Sequence, residues 1–428
     1  MMERIPGDQV RFHPHSFGDP AGRLFRWNDQ VFRGISPAAA PFFRRLFRDG
    51  VIADLVRRGL MVESEPTDLA LDGYELVVRH RAIPICSYPH EWCAAALRDA
   101  ARVIVELALA LDRAGLALKD AHPWNVLIDA RGPVYVDLTS IAPGSAAGEW
   151  QASGEFLRFC LHPLLLMSSG HDRIARSMLP TPEGISEREV LLLTRPAGLA
   201  RQPAWLLGHA LRAAFACLAP GDRNVPVRRR LERLLSRLEE LHIPVAPSRD
   251  GAAPRALDSV AAVVERLRPA SLLDLGSGDV RMAHLAAHAG AQAVVFDLDH
   301  ARVTKLYTEA GAKALPILPL LVDFTLPTPG MGLPDHWLIA ATERFRCELV
   351  LGLGVLEKAF RRRLNLQQFA GGVASFTDRR ALVEYAAWEG IPEHYSLPAF
   401  AEALSRSFSK VERVSPDPDT RVLFLCEK

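Results

Sequence analysis

The sequence lacks paired cysteines and an excess of either charge. Its six cysteines are scattered over 428 residues and none belongs to a Cys-x-x-Cys pair, so neither a zinc site nor a disulfide framework is expected. The formal net charge is +1, which gives no reason to expect nucleic acid or an anionic membrane as a general partner. Because reduced thiols are typical of the cytoplasm, we predict a cytoplasmic protein that holds no metal and binds no nucleic acid.

Long hydrophobic runs are also missing. The most apolar helix-like stretch, ARVIVELALALDRAGLAL, is interrupted by Glu106, Asp112 and Arg113, which makes it too short and too charged to span a bilayer. The N-terminus has no apolar core followed by a cleavage site, so no signal peptide is expected. We therefore predict no membrane insertion, and the length predicts two or three domains.

The pattern of predicted secondary structure changes midway along the chain. The first half predicts a small β-containing lobe, with a hairpin at 23–35, followed by a mainly helical lobe. A proline- and alanine-rich stretch without periodicity, IPVAPSRDGAAPRA, marks a boundary. Beyond it strands and helices alternate, which predicts an α/β doubly wound, Rossmann-like domain with a mainly parallel sheet and an antiparallel last strand. We place the first half at 1–245, a linker at 246–256 and the second half at 257–428.

One stretch of the first half, LKDAHPWNVLIDARGPVYVDLTSI, carries three polar side chains at a characteristic spacing. Asp120 is followed five residues later by Asn125 and then by a predicted hairpin that ends in Asp137. In protein kinases this spacing separates the catalytic aspartate, the metal-binding asparagine and the second metal-binding aspartate. The stretch predicts an α+β, protein-kinase-like domain.

The other parts of a phosphotransfer site are missing. No lysine precedes Lys119, the hairpin has no Gly-x-Gly-x-x-Gly flap, and the helix predicted from Pro37 to Gly59 has no glutamate to pair with a strand lysine. An arginine in place of the lysine would lose its compact charge. A pseudokinase is therefore favoured, in which the three polar residues have a structural or ligand-binding role. Phosphotransfer and a metal or nucleotide site without turnover remain alternatives.

The second half carries a glycine turn after its first predicted strand. The motif LLDLGSGDV contains Asp274, Gly276, Ser277 and Gly278, and glycines at a strand end let the backbone approach a ligand closely. Twenty-one residues beyond Gly276, Asp297 ends the next strand, where a carboxylate can accept hydrogen bonds from ribose hydroxyls. Acidic groups beside the turn would repel a pyrophosphate but suit the ammonium and sulfonium groups of S-adenosylmethionine.

With both halves considered, the chain resembles a bacterial family of class I S-adenosylmethionine-dependent methyltransferases that includes nodulation-associated proteins. Its members carry a kinase-like region before the methyltransferase domain. The resemblance spans most of residues 22–428 and rests on RHRAIPICSYPHEW, LALKDAHPWNVLI with PVYVDLTSI, DLGSG and LPLLVDFTLPTPGMG. Two positions depart from it: Val280 stands where a third glycine is common, and GVLEKAF, with Glu357 and Lys358, replaces a paired-histidine segment.

The resemblance implies methyl transfer from S-adenosylmethionine. The implied cofactor-binding residues are Asp274, Gly276, Ser277, Gly278, Asp297 and Asp323. The first four would hold the methionine end, the fifth the ribose and the last the adenine amino group. A hydroxyl or amine acceptor would also need a base, for which the candidates are Glu357, Glu384 and Glu389, expected after the fourth and fifth strands.

Three functions remain open at this point. The leading hypothesis is methyl transfer to an unidentified acceptor, with the kinase-like half as a docking or lid module. The rivals are an ATP-Mg phosphotransferase that uses the kinase-like loop, and a non-catalytic protein that binds S-adenosylmethionine as a scaffold. No motif identifies the acceptor or the oligomeric state.

Overall fold

The first lobe is built on a five-stranded antiparallel sheet. The computed structural model describes all residues except 1–2, 17, 145–149, 195–224, 249–256, 334–336 and 415–420. The sheet has the order β2 (Arg11–Phe12), β3 (Gly22–Trp27), β4 (Gln30–Ile35), β7 (Leu76–His80), β5 (Ser64–Pro66). A separate parallel pair is formed by β1 (Glu3–Arg4) and β6 (Leu69–Ala70).

The predicted hairpin at 23–35 is confirmed as β3–β4. Its turn residues Asn28 and Asp29 have φ of 48° and 58°, the left-handed backbone that tight hairpin turns require. The single helix predicted from Pro37 to Gly59 is wrong. It is two helices, α1 (Ala40–Arg48) and α2 (Val51–Arg57), because Gly50 between them adopts a φ of 76°, which no α-helix contains.

The second lobe is organised around one long buried helix, α3 (Ala94–Arg113), whose alanines let neighbouring elements pack closely. Two short antiparallel pairs follow: β8 (Leu116–Leu118) with β11 (Ile141–Pro143), and β9 (Val126–Asp129) with β10 (Gly132–Tyr135). The other α-helices among the described residues of this lobe are α4 (Ser153–Phe156), α5 (His162–Ser168), α6 (Asp172–Met178), α7 (Glu187–Leu193) and α8 (Val227–Glu240). A sheet lobe followed by a helical lobe agrees with the predicted α+β class.

The second half is a seven-stranded sheet. Its order is β14 (Ile317–Leu320), β13 (Gln292–Phe296), β12 (Ser271–Asp274), β15 (Cys347–Gly352), β16 (Thr377–Ala386), β18 (Arg421–Glu427), β17 (Lys410–Arg413). Its helices are α9 (Leu257–Leu267), α10 (Arg281–His288), α11 (His300–Ala312), α12 (Ala341–Arg344), α13 (Leu356–Arg361), α14 (Leu366–Ser375) and α15 (Leu397–Ser407). Within the described residues β18 alone runs antiparallel, which confirms the predicted mainly parallel sheet with an antiparallel last strand.

The strand order changes direction beside β12. The chain first builds outward through β13 and β14, and then places β15 on the other side of β12. In open parallel sheets, ligands bind outside the carboxyl ends of the strands at such a switch point. The glycine turn leaves β12 at this place.

The apolar core does not stop at the predicted domain boundary. One cluster of buried side chains runs from Leu97 and Ile104 of α3 to Leu320 and Phe345 of the second half. A separate cluster fills the opposite face of the seven-stranded sheet. Most of the predicted linker lies outside the described residues. Among the residues that are described, no helix is long and apolar enough to cross a membrane.

Candidate functional site

The glycine turn is held in shape by Asp274, which is fully buried. Its Oδ1 accepts hydrogen bonds from the backbone N–H groups of Gly276, at 3.0 Å, and Ser277, at 2.8 Å, and its Oδ2 accepts one from the Ser277 hydroxyl. Gly276 and Gly278 have φ of 109° and 72°, which L side chains rarely adopt. Asp274 therefore shapes the glycine turn. We call this turn, together with Asp297 and Asp323, the cradle.

The valine that replaces a third glycine does not disturb this turn. Val280 is the residue before α10 and has φ of −79°, a value that any residue adopts. Its side chain is half-buried and packs against the core on the outer face of the sheet.

The predicted ribose carboxylate, Asp297, directly follows β13 and is bound by an arginine. Arg302 donates from Nε to Asp297 Oδ2 at 2.8 Å and from Nη2 to Asp297 Oδ1 at 3.0 Å. The same guanidinium lies 3.3 Å from Asp299 and donates to the Ser248 hydroxyl at 3.0 Å. Both carboxylate oxygens that would meet ribose hydroxyls thus already accept hydrogen bonds from the chain.

Asp323, predicted to lie near the adenine, follows β14 and is also engaged. Its Oδ1 accepts from the N–H of Thr325 at 3.0 Å and from the Thr325 hydroxyl at 2.6 Å. Its Oδ2 accepts from Arg362 at 2.9 Å. Asp274 ends β12, and Asp297 and Asp323 follow β13 and β14, so the three aspartates lie at the carboxyl edge of three consecutive strands of the sheet.

Lys358 reaches the glycine turn from α13. Its ammonium group donates to the carbonyl oxygen of Gly276 at 2.7 Å. Sequence reasoning noted this residue only as a departure from the family pattern, because nothing in the local sequence indicates that it contacts a residue 82 positions earlier.

The three candidate bases do not occupy equivalent positions. Glu357 lies on α13 beside Lys358 and pairs with Arg361. Glu384 does not follow a strand as expected. It lies inside β16, because the strand continues to Ala386. Its side chain is 4% exposed and pairs with Arg421 at 3.0 Å. Glu389 lies in the turn that follows β16.

The stretch predicted as a kinase-like loop, residues 120–140, is held together by hydrogen bonds among its own residues. Asp137 accepts from the N–H and hydroxyl of Thr139 at 3.2 and 2.8 Å, and the Ser140 hydroxyl lies within hydrogen-bond distance of both Asp137 and Asp120. The amide of Asn125 donates to the Tyr135 hydroxyl at 3.1 Å, which in turn donates to the backbone carbonyl of Asp120 at 2.8 Å. The structure thus brings the three predicted residues together.

Arg33, which sequence reasoning did not single out, completes this network. It lies on β4, is 5% exposed, and its guanidinium is 2.9 Å from Asp137 and donates to Thr139 Oγ1 at 2.6 Å. Burial would raise the pKa of Asp137, but the charge of Arg33 and the hydrogen bonds from Ser140 and Thr139 outweigh it, so the pKa lies below its usual value. Asp137 is a carboxylate paired with a buried cation. Within the described residues no group of three or more His, Cys, Asp or Glu side chains is arranged to hold a metal ion.

A bridging segment, residues 86–92, joins the two halves. Glu91 is 1% exposed and forms a two-pronged ion pair with Arg344, at 2.6 and 3.0 Å. Burial would raise the pKa of Glu91, but the charge of Arg344 and its hydrogen bonds hold that pKa below its usual value. Glu91 Oε1 also accepts from the Thr328 hydroxyl at 2.6 Å, and its backbone carbonyl accepts from the N–H of Leu321 at 2.7 Å.

Aromatic and backbone contacts strengthen the same bridge. The Arg344 guanidinium lies 3.9 Å from the ring centre of Tyr88, whose hydroxyl accepts from the N–H of Ile339 at 2.9 Å. Arg176 of α6 donates to the carbonyl of His90 at 2.9 Å and to that of Leu321 at 3.1 Å. The bridging segment therefore fixes the loop that follows β14, which begins beside Asp323.

No protein-family model matches the chain. It is 27% identical over 466 residues to the nodulation protein NoeA of Rhizobium meliloti (strain 1021), an alignment that covers 96% of this chain and 95% of the relative.

Among solved structures, monomeric WbdD matches 41% of this chain and 42% of its own, with 15% identity and a TM-score of 0.32. A Thermus thermophilus 16S rRNA methyltransferase, RsmC, matches 44% of this chain and 46% of its own, with 18% identity and a TM-score of 0.27. The predicted resemblance to a family that includes nodulation-associated proteins is thus confirmed by the similarity to NoeA, which extends along almost the whole length of the chain.

Proposed function

We propose that the chain is an S-adenosylmethionine-dependent methyltransferase that acts on an unidentified acceptor through its second half. One observation carries the proposal: a glycine turn folded by a buried aspartate follows the central strand β12 at the switch point, with Asp297 and Asp323 after β13 and β14, the next two strands on one side of it. Carboxylates beside a close-approach turn suit a nucleoside that carries cationic rather than phosphate groups.

The backbone of the cradle fits such a cofactor. A Cβ atom at Gly276 would lie 3.4 Å from the Phe296 carbonyl oxygen and 3.8 Å from the Lys358 ammonium nitrogen, so a side chain there would fill the turn. Asp274, Gly276, Ser277 and Gly278 would hold the methionine end, and Asp297 and Asp323 the nucleoside. When bound, the cofactor supplies a methyl group on a sulfonium, which is a good leaving group.

The protein's own part is to position the acceptor and to accept a proton. Of the three candidate bases, Glu357 is preferred to Glu384 because it lies on α13 after β15 and its ion pair with Arg361 is exposed, so water can replace that partner. Glu384 is less suited, because it is buried within β16 and neutralised by Arg421. In-line positioning supplies the rest of the rate enhancement.

The first half, residues 1–245, is proposed to be a pseudokinase-like accessory domain, joined by the linker 246–256 to the methyltransferase domain, 257–428. Its bridging segment supports this role because Glu91 and Tyr88 hold the loop beyond Asp323 in place. A domain that fixes loops beside the cofactor edge shapes access for the acceptor.

Calorimetric titration with S-adenosylmethionine, S-adenosylhomocysteine and ATP-Mg tests the proposal. Both adenosyl ligands should bind, and Asp297→Ala should weaken them at least about tenfold, because hydrogen bonds to a charged acceptor are lost. The matched control is Asp378→Ala, since Asp378 is an exposed, ion-paired aspartate at the opposite, amino end of β16. Absence of heat with either ligand, or equal binding by Asp297→Ala, would contradict the proposal.

The phosphotransferase rival is disfavoured by Arg33. A carboxylate that binds Mg²⁺ must offer its oxygens to the ion, whereas those of Asp137 already accept from Arg33, Thr139 and Ser140. We expect no heat with ATP-Mg and no phosphate release. Phosphate release that disappears in Asp120→Asn would instead favour the rival. The non-catalytic scaffold rival predicts cofactor binding without methyl transfer to any acceptor that co-purifies with the protein.

A further inference from the structure

Basic side chains cover the polar groups of the cradle that a cofactor would use. Lys358 occupies the Gly276 carbonyl oxygen, Arg302 occupies both oxygens of Asp297, and Arg362 occupies one oxygen of Asp323. These three cations come from α11 and from α13 and its C-terminal end, so they converge on the carboxyl edge of the sheet from both sides of the turn. Cations thus contact three of the six residues proposed to bind the cofactor, and these three follow three neighbouring strands.

Two of these contacts use the same chemistry that the cofactor would use. The methionine end carries a primary ammonium, and Lys358 places a primary ammonium on the Gly276 carbonyl at 2.7 Å. A ribose presents two neighbouring hydroxyl donors to a carboxylate, and Arg302 presents two N–H donors to Asp297 at 2.8 and 3.0 Å. One acceptor oxygen pair cannot make both sets of hydrogen bonds at full strength.

We propose that Lys358 and Arg302 are the residues that set cofactor affinity, because they compete with adenosylmethionine for the Gly276 carbonyl and the Asp297 carboxylate. This inference rests on the proposed function. Binding then requires each side chain to leave its acceptor, and the affinity is lowered by the strength of the contacts that are given up.

The structure provides room for Arg302 to move. Its side chain is 23% exposed, and its guanidinium already lies 3.3 Å from Asp299 and donates to the Ser248 hydroxyl at 3.0 Å. Those two partners can retain the arginine after Asp297 is given up. Lys358 lies on the short helix α13, next to Glu357.

Adenosylhomocysteine binding to the full chain, measured by calorimetry, tests the competition. Lys358→Met and Arg302→Met should each bind this ligand about tenfold more tightly than the unaltered protein. Lys358→Arg, which keeps a cation in place, should bind like the unaltered protein. Lys305→Met is the matched control, because it removes an exposed cation from the same helix as Arg302 without touching the cradle. Thermal melting of each variant checks that it is folded.

The outcomes separate this inference from the proposed function. Tighter binding by both methionine variants than by the unaltered protein supports the inference. Equal or weaker binding by them, while the unaltered protein binds, overturns the competition and leaves the cofactor proposal standing. Weaker binding by Lys358→Met alone would mean that the lysine anchors the cofactor. No binding by any folded variant overturns both.

Discussion

Each half of the chain has a predicted site in which a carboxylate meets an arginine, Asp137 with Arg33 in the first half and Asp297 with Arg302 in the second, but the surroundings differ. In the first half Arg33 and Asp137 have side chains that are 6% and 18% exposed, and the network around them also engages Thr139 and Ser140. In the second half the Arg302 and Asp297 side chains are 23% and 8% exposed, so the arginine is the more exposed partner, and its guanidinium contacts Asp297, Asp299 and Ser248. Arg33 is thus the more buried of the two arginines, and Arg302 has alternative partners in Asp299 and Ser248.

Burial explains why the two pairs have different consequences. Removing one member of a buried ion pair leaves an uncompensated charge in a poorly solvated place, whereas water can replace a partner near the surface. We therefore expect a buried arginine such as Arg33 to stay on its carboxylate. A partly exposed one can leave when a ligand offers equivalent hydrogen bonds.

The largest expected effect is on the stability of the first half. Arg33→Met should lower the free energy of unfolding by about 3–5 kcal/mol, because Asp137 loses its cation while staying buried. Chemical denaturation followed by circular dichroism measures it. The control is Arg79→Met, an exposed arginine paired with Glu65 on the neighbouring strand, which should change stability by less than about 1 kcal/mol. Equal effects of the two substitutions would show that the Arg33 pair is not special.

The bridge between the halves should show the next largest effect. Glu91→Gln keeps the shape of the side chain but leaves Arg344 buried without a countercharge, so a loss of about 2–3 kcal/mol is expected. Because Glu91 joins the two halves, we expect a single unfolding transition to separate into two in differential scanning calorimetry. Glu65→Gln, at an exposed pair, serves as the control. An unchanged single transition would mean that the shared core alone couples the halves.

The stability of the protein should depend on pH because the imidazole of His80 is buried in the folded chain. Burial lowers the pKa of His80 to about 3, from a usual value near 6.5. Below pH 6.5 the unfolded chain takes up a proton that the folded chain excludes, so stability falls as the pH falls, by about 1.4 kcal/mol per pH unit, until about pH 3. His80→Gln should flatten this dependence between pH 6.5 and 5, measured as the denaturation midpoint. A slope that does not change would place the proton uptake elsewhere. Glu91 and Asp137, whose pKa values are lowered, lose their contribution only at more acidic pH.

The smallest effect on stability is expected from substitution of Arg302. Arg302→Met should lower the free energy of unfolding by about 1–2 kcal/mol, because Asp297 is buried and loses two hydrogen bonds but keeps one from the N–H of Asp299 at 2.9 Å, while the 23% exposed arginine leaves room for water. Side-by-side denaturation of Arg302→Met and Arg33→Met measures the contrast. A loss at Arg302 as large as that at Arg33 would make both pairs structural.

Much of the fold follows from contiguous sequence. The Asn28–Asp29 turn, the alternation of strands and helices after residue 257 and the spacing from the glycine turn to Asp297 are all local patterns, and the structure has the corresponding elements. The single helix over 37–59 and the strand-end position of Glu384 were wrong. A left-handed glycine ended the first, and strand pairing with β18 extended the strand beyond the second.

The sequence by itself determined the elements, the glycine turn and the acids that follow neighbouring strands, because each depends on residues close together in the chain. Only the tertiary structure decided which cations from distant parts of the chain meet which polar groups. Arg33 reaches Thr139 across 106 positions, Lys358 reaches Gly276 across 82, and Arg344 reaches Glu91 across 253. Such pairings depend on how the lobes pack and on how much water remains around each pair, and no local pattern encodes either.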